Sequence, residues 1–356
     1  MVKVRHLLLF LVWGVILCGC TAPEPVVVPA VQSPEEMLAG RLMRLPTVEE
    51  VEVWTLPSII RDESARGMKI STRHYEVFTT MEDPLIVERV PFFMESCFVR
   101  YNELMNVSVE GRKKLAVYLF NTREQWEDFT RLWTGASAEA YLQIPEGAYY
   151  AEGACVVYHI FRRVNFAILA HEGWHQFVDE YFTLPAPSWL NEGVATGFET
   201  FAWDDGQVVF RPEGNRARLM TLYQAMLGNE LIPLAELVKL DPGYYLEAEI
   251  AGEEHRVSSP MGTYYAQVYA LVRFFQEAGQ GRYLQSFQEM LGDGYKGEWP
   301  LGVLERFMAT RMKSRVTRGW NQRVGPLLIE SYFKTTAADL EPAYRTFCQK
   351  IVASIR

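Results

Sequence analysis

At 356 residues the chain has room for one large domain or two modest ones, and 49% hydrophobic with 22% charged residues is the balance of a protein with a substantial core. A net charge of −9, with no long basic tract, removes the electrostatic basis for nucleic-acid binding.

Lys3 and Arg5 precede an apolar run from Leu7 to Leu17, too short to span a bilayer and shaped like a secretory signal. It ends in Leu17-Cys18-Gly19-Cys20, which resembles the bacterial lipoprotein signal. That resemblance implies a signal peptide over 1–19, a lipid on Cys20, and residence in the bacterial cell envelope through an N-terminal lipid anchor. In a Gram-negative cell the anchor would sit in the outer membrane, facing the periplasm. An ordinary signal peptide or a short anchor, with incidental cysteines, is the alternative. Cys97, Cys155 and Cys348 then remain, too widely spaced for a disulfide framework or for metal-ligand spacing. Buried thiols are expected, with one bridged pair left open.

Thr21 to Pro34 (TAPEPVVVPAVQSP) is proline-rich and without helical period, so residues 20–68 read as a lipidated N-terminus and tether. Within it, Glu35 to Arg44 has the character of a short helix. Lys69 to Thr79 alternates as a strand does, Val87 to Met105 has helical spacing, and Leu115 to Phe120 (LAVYLF) reads as a short buried strand. Thr122 to Trp133 is a helix with Glu124 in its first turn, and Ala148 to His159 is a strand pair or kinked edge strand about Gly153. A helix is expected from about Asn165 to Tyr181. Pro185 and Pro187 break the chain before a second helix, for which Ser188 is the expected N-cap. From about Leu219 to Arg356 nearly everything reads helical. The fold class is therefore α+β: a small mixed sheet and a motif helix over 69–204, followed by a mostly helical half over 205–356 that closes the cleft.

The chemistry concentrates in His171-Glu172-Gly173-Trp174-His175. Histidines four apart on a helix share one face, so both imidazoles can reach one metal ion, and the glutamate beside the first can reach a metal-bound water. Glu192, in Trp189-Leu190-Asn191-Glu192-Gly193 on the following helix, would be the third protein ligand. This set matches a catalytic site for one zinc ion, with the fourth position left to water. In such a site zinc lowers the pKa of its water towards about 7, and Glu172 takes the proton and passes it to the leaving amine. The alternative is a pair of helix histidines satisfied by ordinary hydrogen bonds. Tyr265 and, less strongly, His255 are candidate donors to the oxyanion, with Tyr264 and Tyr269 behind them. Asp179 and Glu199 lie on the ligand faces of their helices and could orient an imidazole, or could be solvated carboxylates. His74 and His159 read as structural. Gly173 suggests close packing against that helix, by the sheet or by the Glu192 helix.

HEGWH followed by WLNEGVATGFE resembles the gluzincin clan of zinc metallopeptidases, and in particular the peptidase-MA-like domains of bacterial envelope proteins. KISTRHYEVFTT, LAVYLFNTREQWEDF, GAYYAEGACVVYH, TYYAQVYALVRFF and TAADLEPAYRTFCQKI extend the likeness over roughly Lys69 to Ile351. It implies a zincin-like fold, His171, His175 and Glu192 as ligands, Glu172 as base, and Tyr265 as the better oxyanion donor. Two departures narrow the activity. Thr196 stands where thermolysin-like members carry an aspartate, and Gly147 to Ala151 lacks the glutamate that anchors an aminopeptidase substrate. The expectation is a membrane-tethered zinc metallopeptidase acting on extracytoplasmic polypeptides. A non-catalytic envelope lipoprotein with a peptidase-like fold and a zinc amidase on peptidoglycan peptides are the alternatives.

Overall fold

The run Leu115–Phe120 has no polar side, and it forms an interior strand covered on both faces. The computed structural model describes residues 33–56, 65–111, 113–144, 148–240, 242–243, 260–312 and 316–355. The elements are α1 (Pro34–Leu42), β1 (Glu50–Thr55), β2 (Arg66–Ser71), β3 (Tyr75–Thr79), α2 (Pro84–Met105), β4 (Leu115–Phe120), α3 (Arg123–Thr134) and α4 (Ala138–Leu142). They continue with β5 (Ala148–Ala151), β6 (Ala154–Tyr158), α5 (Arg162–Tyr181), α6 (Ser188–Gly197), β7 (Phe201–Asp204), β8 (Gln207–Phe210), α7 (Arg216–Leu227) and α8 (Leu234–Leu237). The last helices are α9 (Pro260–Gly281), α10 (Leu284–Lys296), α11 (Val303–Arg311), α12 (Arg318–Phe333) and α13 (Ala337–Val352). Among the described residues no helix is long and apolar enough to cross a membrane.

The expected mixed α+β architecture is present. Six strands run in the order β1-β2-β3-β4-β6-β5, with β3, β4 and β6 parallel and the other pairings antiparallel. Alternation along β4 and β6 divides their side chains between two layers. Leu115, Val117, Leu119, Cys155 and Val157 join the main core with α2 and α5, while Phe120, Ala154 and Val156 meet Trp126 and Phe129 of α3 on the other face. The main core continues from Leu38 to Val352, so the sheet and the helical half share one interior. Cys97, Cys155 and Cys348 are buried and free.

Several local expectations change. Lys69 to Thr79 is two antiparallel strands, not one, with the chain reversing over Thr72 to His74. The reversal is held from outside: Glu95 of α2 accepts from Thr72 Oγ1 (2.6 Å) and His74 N–H (2.8 Å), and pairs with His74 Nδ1 (2.6 Å). The short helix expected over Glu35 to Arg44 is present as α1, with Leu38 and Leu42 buried in the core, and the stretch read as tether also contains the strand β1. Ser188 is not the N-cap of α6: Pro187 is, and Asn321 of α12 does the capping from a distance. Asn321 Oδ1 accepts from Ser188 N–H (2.9 Å) and its Nδ2 donates to Ser188 Oγ (2.9 Å). The hairpin β7–β8, absent from the sequence reading, spans the 204/205 boundary and turns on Asp205 and Gly206, both at positive φ (45° and 77°). Residues 1–32, with Cys18 and Cys20, lie outside the described residues, as do His255 and Gly147.

Candidate metal centre

Helix α5 buries Phe166, Leu169, Ala170, Gly173, Trp174 and Phe177, the i, i+3, i+4 stripe that packs it between the sheet and α2. That leaves His171, Glu172 and His175 on a flank that is only partly covered. The two imidazoles stand 4.9 Å apart between ring centroids, nearly perpendicular at 80°. Gly173 lies neither against the sheet nor against α6. A Cβ there would meet Tyr101 Oη of α2 at 2.9 Å, and that hydroxyl donates to the Ala170 carbonyl (2.7 Å). Glycine thus lets Tyr101 reach the backbone of the histidine helix.

Glu192 comes from α6, which crosses behind α5. Trp189 and Leu190 are fully buried and fix the helix in the core. Gly193 is the contact point with α9, since a Cβ at that position would lie 2.7 Å from the Val268 carbonyl oxygen and 2.6 Å from Val272 Cγ2. The absent side chain brings the backbone of α6 close to the helix that carries Tyr265.

These helices bring His171, His175 and Glu192 together, with one donor atom from each within 4.8 Å of the other two. Glu192 Oε2 is 3.5 Å from His171 Nε2 and 3.4 Å from His175 Nε2. Such separations are charge contacts rather than well-formed hydrogen bonds. Glu192 Oε2 and His175 Nδ1 are buried without a hydrogen-bond partner among the described residues. Buried polar atoms are rarely left so. Two ligands about 2.0–2.1 Å from a tetrahedral zinc stand about 3.4 Å apart, so the spacing and the donor types fit that ion.

The ionisable groups of the site shift one another. Burial depresses the His171 imidazole, but the carboxylates of Glu192 and Glu199 on either side outweigh it and raise the group to about 10. Burial likewise depresses His175, and the charge of Glu192 reverses the shift. Burial pushes Glu192 up, yet the two imidazoles hold it well below the usual carboxylate range. The imidazoles and the carboxylates thus favour one another's charged forms.

A second ring of groups holds the first. Glu199 Oε1 accepts from His171 Nδ1 at 3.0 Å, the orienting role anticipated for it, which turns Nε2 towards Glu192. Glu199 is itself gripped by Arg218, with Nη2 to Oε1 at 2.6 Å and Nε to Oε2 at 3.0 Å, and by Asn215 Nδ2 at 2.8 Å. Burial raises Glu199, but His171 and Arg218 bring it down to about 2. Neither Asn215 nor Arg218 was singled out from sequence. Asn215 had a readable signal, because it is the N-cap of α7. Asp179, the other candidate for orienting an imidazole, instead accepts from Tyr150 Oη of the edge strand β5.

Glu172, next to His171 on α5, lies on the same partly covered flank as both imidazoles, and its charge helps to raise them. Tyr265 lies beneath Arg218, whose guanidinium carbon is 5.1 Å from the ring centroid. Burial, reinforced by Glu192, pushes its phenol well above the ordinary range, so it stays protonated as a donor. Tyr269 is committed elsewhere, donating to the Pro212 carbonyl (2.6 Å) and accepting from Arg273 (3.0 Å). Thr196 folds back onto its own helix, donating to the carbonyls of Glu192 and Gly193. His74 pairs with Glu95 and stacks on Phe98, and His159 is bonded to Asn165 (2.9 Å); both are structural. Comparison with protein-family models, curated proteins and solved structures finds no match, so the reading of this centre rests on its own geometry.

Proposed function

We propose that this chain is a zinc metallopeptidase of the gluzincin type, with a zincin-like fold, that hydrolyses peptide bonds in extracytoplasmic polypeptides. The observation that carries the proposal is the meeting of His171, His175 and Glu192 with Glu172 beside them. His171, His175 and Glu192 would hold the ion. When bound, zinc supplies Lewis acidity, polarising a scissile carbonyl and making a water molecule acidic near neutral pH.

The protein's own groups do the rest. Glu172 accepts the proton of the attacking water and returns it to the leaving amine. Tyr265, kept protonated, donates to the oxyanion of the tetrahedral intermediate. Glu199, fixed by Arg218 and Asn215, keeps the His171 Nδ1 proton in place and so selects Nε2 as the ligand atom. The proposed lipid at Cys20 would tether the enzyme to the envelope membrane, within reach of polypeptides there.

The test compares wild type with Glu172→Gln on a peptide library read by mass spectrometry. The variant should retain zinc and lose cleavage. If wild type cuts nothing that the variant spares, the protein is not a peptidase, and a binding role for the same fold takes its place.

A further inference from the structure

Helix α11 is turned inside out. It contributes no buried residue, while Val303 is 89% exposed, Leu304 48% and Phe307 51%. At 3.6 residues per turn, these three and Arg311 fall on one arc of about 100°. Its acidic residue faces the other way: Glu305 is only 15% exposed and pairs with Arg323 of α12 at 3.2 Å. Isolated surface apolar residues are ordinary, but three on one outward face of a helix that buries nothing form a patch.

Three arginines lie beside the patch. Arg306, Arg311 and Arg318 are exposed on α11 and at the start of α12. Arg306 Nη2 donates to the Trp299 carbonyl (3.2 Å), and the Arg311 guanidinium carbon lies 4.4 Å from the Phe307 ring centroid. Exposed arginines beside outward apolar side chains give this helix a local basic character in a chain of net charge −9. It is the chemistry of a helix lying in a membrane interface, with apolar side chains among the acyl chains and cations at the headgroups.

We infer that α11 is a membrane-docking surface for anionic lipid, with Val303, Leu304 and Phe307 entering the bilayer and Arg306, Arg311 and Arg318 at the headgroups. This contact is separate from any lipid on Cys20 and from the metal centre. Together with a tether, it would set the face that the protein presents to the membrane.

The test uses the full chain carrying a photoreactive benzophenone side chain at position 307 and, as reference, at position 227, where Leu227 is 64% exposed on another helix. Each is irradiated on vesicles of equimolar phosphatidylglycerol and phosphatidylcholine, and on phosphatidylcholine alone. The expected result is lipid adducts at 307, relative to 227, only on the anionic vesicles. Arg306→Glu with Arg311→Glu should lower that yield by about tenfold or more, as should screening by high salt, a check that needs no variant. Equal yields at 307 and 227, or equal yields on neutral and anionic vesicles, would overturn the inference. So would adducts at 307 to another copy of the chain or to another protein, because a protein partner would then cover the face.

Discussion

The carboxylate of Glu199 lies 3.0 Å from Nδ1 of His171, seven residues past Glu192 and across the imidazole from it. One imidazole is therefore held between two glutamates, one facing the candidate metal position and one behind it. Such an outer partner fixes both the tautomer and the direction of a ligand histidine. Glu199→Gln should weaken zinc binding by about 10–100-fold, measured by competition with a chromogenic chelator, while leaving the fold intact. Arg218→Met should act in the same direction, because it leaves Glu199 buried with two of its four side-chain hydrogen bonds gone. Unchanged affinity in both variants would reduce this layer to packing.

Gly193 makes a sharper demand on backbone space. A methyl group there meets the carbonyl oxygen of Val268 at 2.7 Å, and backbone does not give way as a flexible side chain does. Gly193→Ala should cost about 1–3 kcal/mol in urea unfolding. Gly197→Ala, on the same helix with nothing within 4 Å of the new atom, should be neutral or stabilising by up to about 1 kcal/mol. If the two variants behave alike, the close approach of α6 and α9 is not what fixes Glu192.

Asn321 is a cap supplied by tertiary structure. Asn321→Ala removes both bonds to Ser188 and leaves a helix-terminal N–H without its acceptor, so it should destabilise by about 1–3 kcal/mol. Ser188→Ala loses only the hydroxyl contact and should cost less. A reversed order, read from denaturation midpoints at equal m-value, would contradict this assignment.

Tyr265→Phe separates catalysis from metal holding. The phenol is not among the three ligand groups, so zinc content should be unchanged. If it donates to the oxyanion, kcat should fall by about 10²–10³-fold on any peptide the wild type cleaves. A variant with full kcat would remove Tyr265 from the mechanism.

The candidate site was legible in the sequence where its parts are close along the chain. His171 and His175 share a helical face by spacing alone, and Glu192 and Glu199 lie on and just beyond the next helix, so period and order were enough. Arg218 was hidden because it reaches Glu199 only after an intervening hairpin. That hairpin carried its own signal, Asp205-Gly206 between two apolar runs, which favours a two-residue turn. The reversal at Thr72 to His74 carried only a faint signal, a change of phase between Met68 and Ile70 before it and Tyr75 and Val77 after it, and the group that holds it is Glu95, on a helix more than twenty residues away in sequence. The cap on α6 was misread for the same reason. Serine is a good local cap, but Asn321 already occupies the Ser188 N–H.

Metal content, measured by inductively coupled plasma mass spectrometry on protein purified without added metal or chelator, tests the central claim most directly. Wild type and Glu172→Gln should each carry one zinc per chain, and His171→Ala and Glu192→Ala should carry almost none. Wild-type protein that takes up no zinc, even when dialysed against it, would contradict the metal centre and the hydrolase built on it.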